Sequence, residues 1–119
     1  MTRRPTPAGL RIRLVLRPGA MIGPGKADLL DGIRESGSIA AAGRRMGMSY
    51  KRAWTLVETM NTTYRAPLVE TARGGADHGG ASLTALGADV LAAYRRLEAK
   101  ASAAAAEEIE ALTDMAAGK

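Results

Sequence analysis

Ser38–Asn61 reads SIAAAGRRMGMSYKRAWTLVETMN. Its pattern predicts two short helices, Ile39–Met46 and Tyr50–Asn61, joined through Gly47-Met48-Ser49. Ala41, Ala42 and Gly43 are small enough to let two helix backbones approach closely. Gly47 suits the positive φ that ends a helix. Ser49 suits the N-cap, where its hydroxyl accepts a backbone N–H of the next helix. Together these features predict a helix-turn-helix.

The second helix divides by angle. At 3.6 residues per turn, Ala53, Leu56, Val57 and Met60 share one face, with Trp54 on its flank. Lys51, Arg52, Thr55, Thr59 and Thr62 fall on the other. The first face is expected to pack on a core. The second carries cations and hydroxyls at its N-terminal end, where such a helix enters a major groove and meets base acceptors or phosphates. The plainer alternative is a surface helix with solvated charges.

The composition narrows the function classes. A chain of 119 residues allows one domain with a modest core. It has no cysteine and a single histidine, His78, so neither a disulfide framework nor a Cys- or His-rich metal site is expected. The net charge of +5 is unevenly spread. Through Leu83 there are 13 Lys and Arg against 6 Asp and Glu, and from Thr84 onward 4 against 6. The basic part contains the candidate helix pair, which suits a polyanionic partner. The early apolar run Leu10–Leu16 is interrupted by Arg11 and Arg13, so it forms neither a signal segment nor a membrane span. A cytoplasmic protein without a membrane partner is expected.

Taken in order, Met1–Gly9 holds two prolines and Arg3-Arg4 and is expected to be a disordered arm. Leu10–Leu16 alternates as a half-buried strand, ended by Pro18-Gly19. Gly23-Pro24-Gly25-Lys26 resembles a phosphate-binding loop but fails its spacing, and Ala27 replaces the hydroxyl that would hold a metal. It is expected instead to start a helix over Lys26–Ser36, with Leu29, Leu30 and Ile33 inward, Gly37 as its stop and Ser38 capping the next helix. Leu68–Ala72 and Ala81–Leu83 are strand candidates around the glycine-rich loop Arg73–Gly80. A strand, glycine loop and strand after a helix pair suggests a wing, with Arg73, Gly74, Gly75 and His78 as backbone or minor-groove contacts. Thr84 is expected to cap one long helix from Ala85 to about Met115. Its far half outruns what this chain can cover, so pairing with a second copy is expected. The domain division is therefore an arm over 1–9, a DNA-binding domain over 10–83 and a dimerisation helix over 84–119.

The ordered series Ile22-Gly23-Pro24-Gly25-Lys26, Gly37-Ser38-Ile39, Gly47-Met48-Ser49-Tyr50-Lys51, Ala53-Trp54 and Met60-Asn61 resembles a known family. Leu68-Val69-Glu70, Gly74-Gly75, Gly79-Gly80-Ala81 and Leu83-Thr84-x-x-Gly87 extend the likeness. The chain resembles the N-terminal domain of the bacterial molybdate-responsive regulators (the ModE type), whose helix-turn-helix is related to that of LysR-type regulators. The resemblance spans roughly Leu10 to Leu97. It implies a mainly α fold with a small β wing, a winged helix-turn-helix and a long C-terminal dimerisation helix. It also implies a dimeric transcriptional regulator bound to double-stranded DNA. Ser49, Tyr50, Lys51, Arg52 and Thr55 match the start of the family's recognition helix, and Arg73–Gly80 its wing. The family's C-terminal oxyanion-binding domains have no counterpart in this sequence, which sets direct molybdate sensing in doubt. The chain is then either a naturally short, single-domain relative, which is the favoured expectation, or a fragment of a longer regulator.

The leading expectation is a homodimer reading a palindromic site, with a link to molybdate or other oxyanion metabolism. Lys51, Arg52 and Thr55 would contact bases. Ser49, Arg44, Arg45 and Lys26 would meet phosphates, and Arg73 and His78 would serve the wing. The alternatives are a small dimeric adaptor that joins a larger regulator and a nonspecific, chromatin-like DNA binder. No catalytic residue, cofactor or metal site is expected, because no nucleophile–base pair or ligand spacing rises above chance.

Overall fold

The computed structural model describes residues 9–72 and 80–118. Strand β1 (Leu14–Arg17) turns through Pro18-Gly19 into β2 (Ala20–Ile22), antiparallel, with Leu14 opposite Ile22 and Val15 opposite Met21. Three helices follow: α1 (Pro24–Ser36), α2 (Ile39–Arg45) and α3 (Tyr50–Thr63). A second hairpin pairs β3 (Val69–Ala72) with β4 (Gly80–Leu83), and α4 (Ala85–Ala104) and α5 (Ala106–Met115) close the chain.

Local chemistry sets the helix ends. Pro24 stands in the first turn of α1, where its missing N–H costs nothing. Ser38 Oγ accepts the Ala41 N–H at 3.0 Å, and Ser49 Oγ accepts the Arg52 N–H at 3.1 Å. Both hydroxyls satisfy a donor that the helix itself leaves orphaned. Gly37 and Gly47 both take a φ of 72°, which lets the chain leave one helix and enter the next within a few residues.

The core is built on α1, whose Leu29, Leu30 and Ile33 are fully buried. Ala42 of α2 and Ala53, Val57 and Met60 of α3 close over it. The helices meet at very short range: a Cβ placed on Gly43 would lie 2.9 Å from the Ala53 Cβ. The small residues expected to permit this approach thus do so. Leu91 and Tyr94 of α4 complete the core, and the Tyr94 hydroxyl donates to the Ile12 carbonyl at 2.5 Å. Arg95 ties α4 to α1 through Asp28 (2.7 Å) and Asp31 (2.6 Å), and it also meets Glu98 (2.9 Å).

Asn61 joins α3 to the second hairpin. Its Oδ1 accepts the Leu68 and Val69 N–H groups at 2.9 and 3.0 Å, and its Nδ2 donates to the Val69 carbonyl at 3.1 Å. Asn61→Ala is expected to destabilise the fold by about 1–3 kcal/mol, because these half-buried backbone groups lose their partner. Urea unfolding followed by circular dichroism checks this, and a loss below about 0.5 kcal/mol would show that water replaces the amide.

Burial pushes the Tyr94 phenol above its usual value of 10.0, helped by the charge of Glu98 and opposed by Arg95 and Arg11. The folded chain therefore holds this proton at a pH where the unfolded chain has released it. Stability is expected to be fully present below about pH 10 and to fall as pH rises further. Tm measured from pH 8 to 11 checks this, and the fall above pH 10 should be shallower in Tyr94→Phe.

The expected fold class is corrected. A mainly α winged helix-turn-helix with one β wing and a single long C-terminal helix was anticipated. The described residues form five helices and two separate two-stranded antiparallel sheets. The first strand is shorter than Leu10–Leu16, and its partner β2 went unread because a three-residue strand carries too little alternation. The terminal helix is interrupted at Ala105 (φ −102°, ψ 14°). Its inner face buries Leu91 and Tyr94, with Leu86 and Val90 half-buried beside them. Past Leu97 the run is alanine-rich and α5 buries no residue, so no packing holds one straight helix there. Residues 73–79, which include Arg73, Gly74, Gly75 and His78 of the expected wing, lie outside the described residues.

Candidate functional site

The exposed side of α3 is the strongest candidate. Ala53, Val57 and Met60 fasten the helix to the core, so Lys51, Arg52, Thr55 and Thr59 face outward. Ser49, Lys51, Arg52, Thr55 and Leu56 line a shallow depression. The Thr55 hydroxyl donates back to the Lys51 carbonyl at 3.0 Å. Ser49 Oγ is used as the cap, so its role there is to order the first turn of α3. Tyr50 stays exposed, and the Trp54 indole N–H donates to its hydroxyl at 2.5 Å. Trp54 is half-buried and packs against the core edge, as expected from its place on the helix flank.

A second cleft of about 430 Å³ adjoins the first and shares Arg52 and Leu56 with it. Its other walls include Arg13, Met21, the Gly23–Lys26 turn, Met46 and Met48. Lys26 Nζ donates to the Met21 carbonyl at 3.1 Å, and Arg13 Nη2 stands 2.8 Å from the Met21 sulfur. Neither cleft has an Asp or Glu among its lining residues.

The predicted residues thus fall into three groups. Lys26, Ser49, Lys51, Arg52 and Thr55 line the two clefts, with Tyr50 beside them. Arg44 and Arg45 end α2 and are exposed, but they line neither cleft. Arg45 is held by Glu35 of α1 at 2.8 Å. The remaining four lie outside the described residues. Arg13 was missed as a site residue, since alternation placed it only on the solvent side of a strand. The turn signal Pro18-Gly19, taken as the head of a hairpin, would have brought it beside Gly23.

No family model matches this chain. It is 47% identical over 83 residues to the molybdenum-pterin-binding protein MopB of Rhodobacter capsulatus, covering 70% of this chain and 31% of that protein. It is 34% identical over 108 residues to the molybdenum transport protein ModE of Azotobacter vinelandii, covering 91% of this chain and 40% of the relative. It is 37% identical over 87 residues to the DNA-binding transcriptional dual regulator ModE of Escherichia coli (strain K12), covering 73% and 33%. The chain spans between 31% and 40% of the length of these relatives.

These findings correct the resemblance drawn from the sequence. The assignment to an N-terminal winged helix-turn-helix domain, related to LysR-type regulators and lacking a molybdate-binding part, does not stand. No helix-turn-helix family model matches, and MopB is named for binding a molybdenum-pterin. The likeness that holds is to bacterial proteins tied to molybdenum, transcriptional regulators among them. No helix among the described residues is long and apolar enough to cross a membrane.

Proposed function

We propose that this chain is a DNA-binding part of a molybdenum-linked transcriptional regulator, and that it holds double-stranded DNA on the exposed side of α3. The carrying observation is the continuous surface formed by Lys51, Arg52, Thr55 and Lys26. It is cationic, lacks a carboxylate lining, and spans the exposed side of α3 and the first turn of α1, two helices whose inner faces are buried in the core. Such a surface attracts phosphates, and arginine and lysine on a presented helix can read base edges. The regulators among the relatives support the same reading. The activity proposed is binding, not catalysis.

The chain acts as a homodimer in this proposal. Leu112 and Met115 of α5 are 66% and 75% exposed, and Ile109 lies on the same helix. A second copy would cover these residues and place two α3 helices on two half-sites of a palindrome.

The test is selection of genomic fragments by the purified protein at about 150 mM salt, with salt held fixed because phosphate contacts make affinity salt-dependent. It is run with and without molybdate. Recovery of one palindromic motif is expected, with a molybdate-dependent change in its enrichment. Recovery of DNA without a motif would replace the proposal with a nonspecific binder. No recovered DNA would leave the adaptor reading.

A further inference from the structure

The second cleft brings three cations to one opening: Arg13 from the chain just before β1, Lys26 from α1 and Arg52 from α3. Among the described residues its lining offers them no counter-charge. Arg13 and Lys26 both turn onto Met21, one onto its sulfur and the other onto its carbonyl oxygen. A thioether is a weak acceptor, so the Arg13 guanidinium keeps nearly all its capacity to donate. Its stem is also placed: the Arg13 Cα, Cβ and Cγ lie 3.7–3.8 Å from where a Cβ on Gly23 would stand. It therefore crosses the N-terminus of α1, which no side chain caps. Like charges gathered without a carboxylate repel one another, and an anion between them relieves that repulsion.

We propose that this cleft seats a phosphate of the DNA backbone, with Arg13, Lys26 and Arg52 as its walls and the β1–β2 hairpin as an added contact. The proposal rests on the DNA reading of α3. A backbone phosphate is the occupant because the cleft runs into the α3 depression through Arg52 and Leu56. A duplex lying on α3 extends its backbone over that shared edge. Arg13 then positions the duplex and carries no sequence information.

The experiment measures affinity by fluorescence anisotropy for a selected duplex and a scrambled one, across about 50–200 mM salt, for the wild type, Arg13→Gln and Arg17→Gln. Arg17 is exposed at the end of β1, four residues after Arg13, but does not line the cleft. Arg13→Gln is expected to weaken both duplexes equally and to lower the salt slope by about 0.9. Its deficit against wild type then shrinks about threefold to fourfold across that salt range. Arg17→Gln should keep the wild-type slope, and thermal melts should show all three chains folded. Equal slopes for wild type and Arg13→Gln, with Arg52→Ala still impaired, would overturn the seat and leave the α3 reading intact. Equal slope losses in Arg13→Gln and Arg17→Gln would also overturn it, as a generic charge effect. Sodium phosphate and sodium molybdate are titrated separately against the Gly25 and Lys26 amide resonances. Saturable shifts at millimolar anion that DNA does not displace would reassign the cleft to a free oxyanion and overturn the DNA assignment. A wild-type chain that binds neither duplex would fail the underlying reading itself.

Discussion

Gly87→Ala is expected to cost about 3 kcal/mol or more, because nothing near the new methyl can give way cheaply. A Cβ on Gly87 would stand 2.1 Å from the Leu68 carbonyl oxygen, 3.0 Å from its carbon and 3.2 Å from its Cα. All three are backbone atoms. The same carbonyl accepts the Thr84 N–H at 2.9 Å. Thr84 in turn caps α4 through the Gly87 N–H, also at 2.9 Å, while its hydroxyl donates to the Pro67 carbonyl at 2.8 Å. Relieving the clash means moving the start of α4 away from the loop before β3, and this junction loosens as a unit. Leu68 and Leu91 are both at most 1% exposed on either side of it, so their packing opens as well. For a domain of this size the loss corresponds to a Tm decrease on the order of 10 °C. Gly25→Ala is the internal comparison. No atom lies within 4 Å of its would-be Cβ, and it sits in the first turn of α1. It should leave Tm unchanged or raise it slightly. Equal melting of both variants would refute the close approach at Gly87.

Arg52→Ala is expected to weaken binding to a selected duplex by roughly 1–3 kcal/mol, the range for losing a base-reading arginine. The residue is exposed at the start of α3, and its backbone N–H is already satisfied by Ser49. Truncating the side chain therefore leaves the cap in place, and stability should stay within about 0.5 kcal/mol. Any binding loss then belongs to the interface and not to the fold. Arg52 is the one cation common to both clefts, so it has two possible partners. A larger loss on the selected duplex than on a scrambled one assigns it to a base edge, and equal losses assign it to a phosphate. Unchanged affinity on both would remove Arg52 from the surface. Set beside Arg13→Gln, the pair separates sequence reading from backbone positioning on adjoining clefts.

Much of the local architecture was legible in the chain. Ser38 and Ser49 before apolar periodic runs marked the N-termini of α2 and α3, because a cap is a contact between residues three apart. The period of 3.6 separated Ala53, Val57 and Met60 from Lys51, Arg52 and Thr55, and burial follows that division. Ser49, Lys51, Arg52 and Thr55 followed from these two signals together, while Lys26 followed from the Gly23-Pro24-Gly25 turn that starts α1. Arg45 did not, since its ion pair with Glu35 depends on how α2 crosses α1.

The sequence by itself determined the first three helices to within two residues at their ends, and which side of α3 turns outward. Spacing and capping act within a few residues and need no partner. Only the tertiary structure decided that β2 exists and that its pairing with β1 brings Arg13 to the N-terminus of α1. It also decided that Gly87 lies against the Leu68 carbonyl and that the last helix breaks at Ala105. Each of these depends on contacts between residues distant in the chain, or on their absence past Leu97, and no local pattern records either.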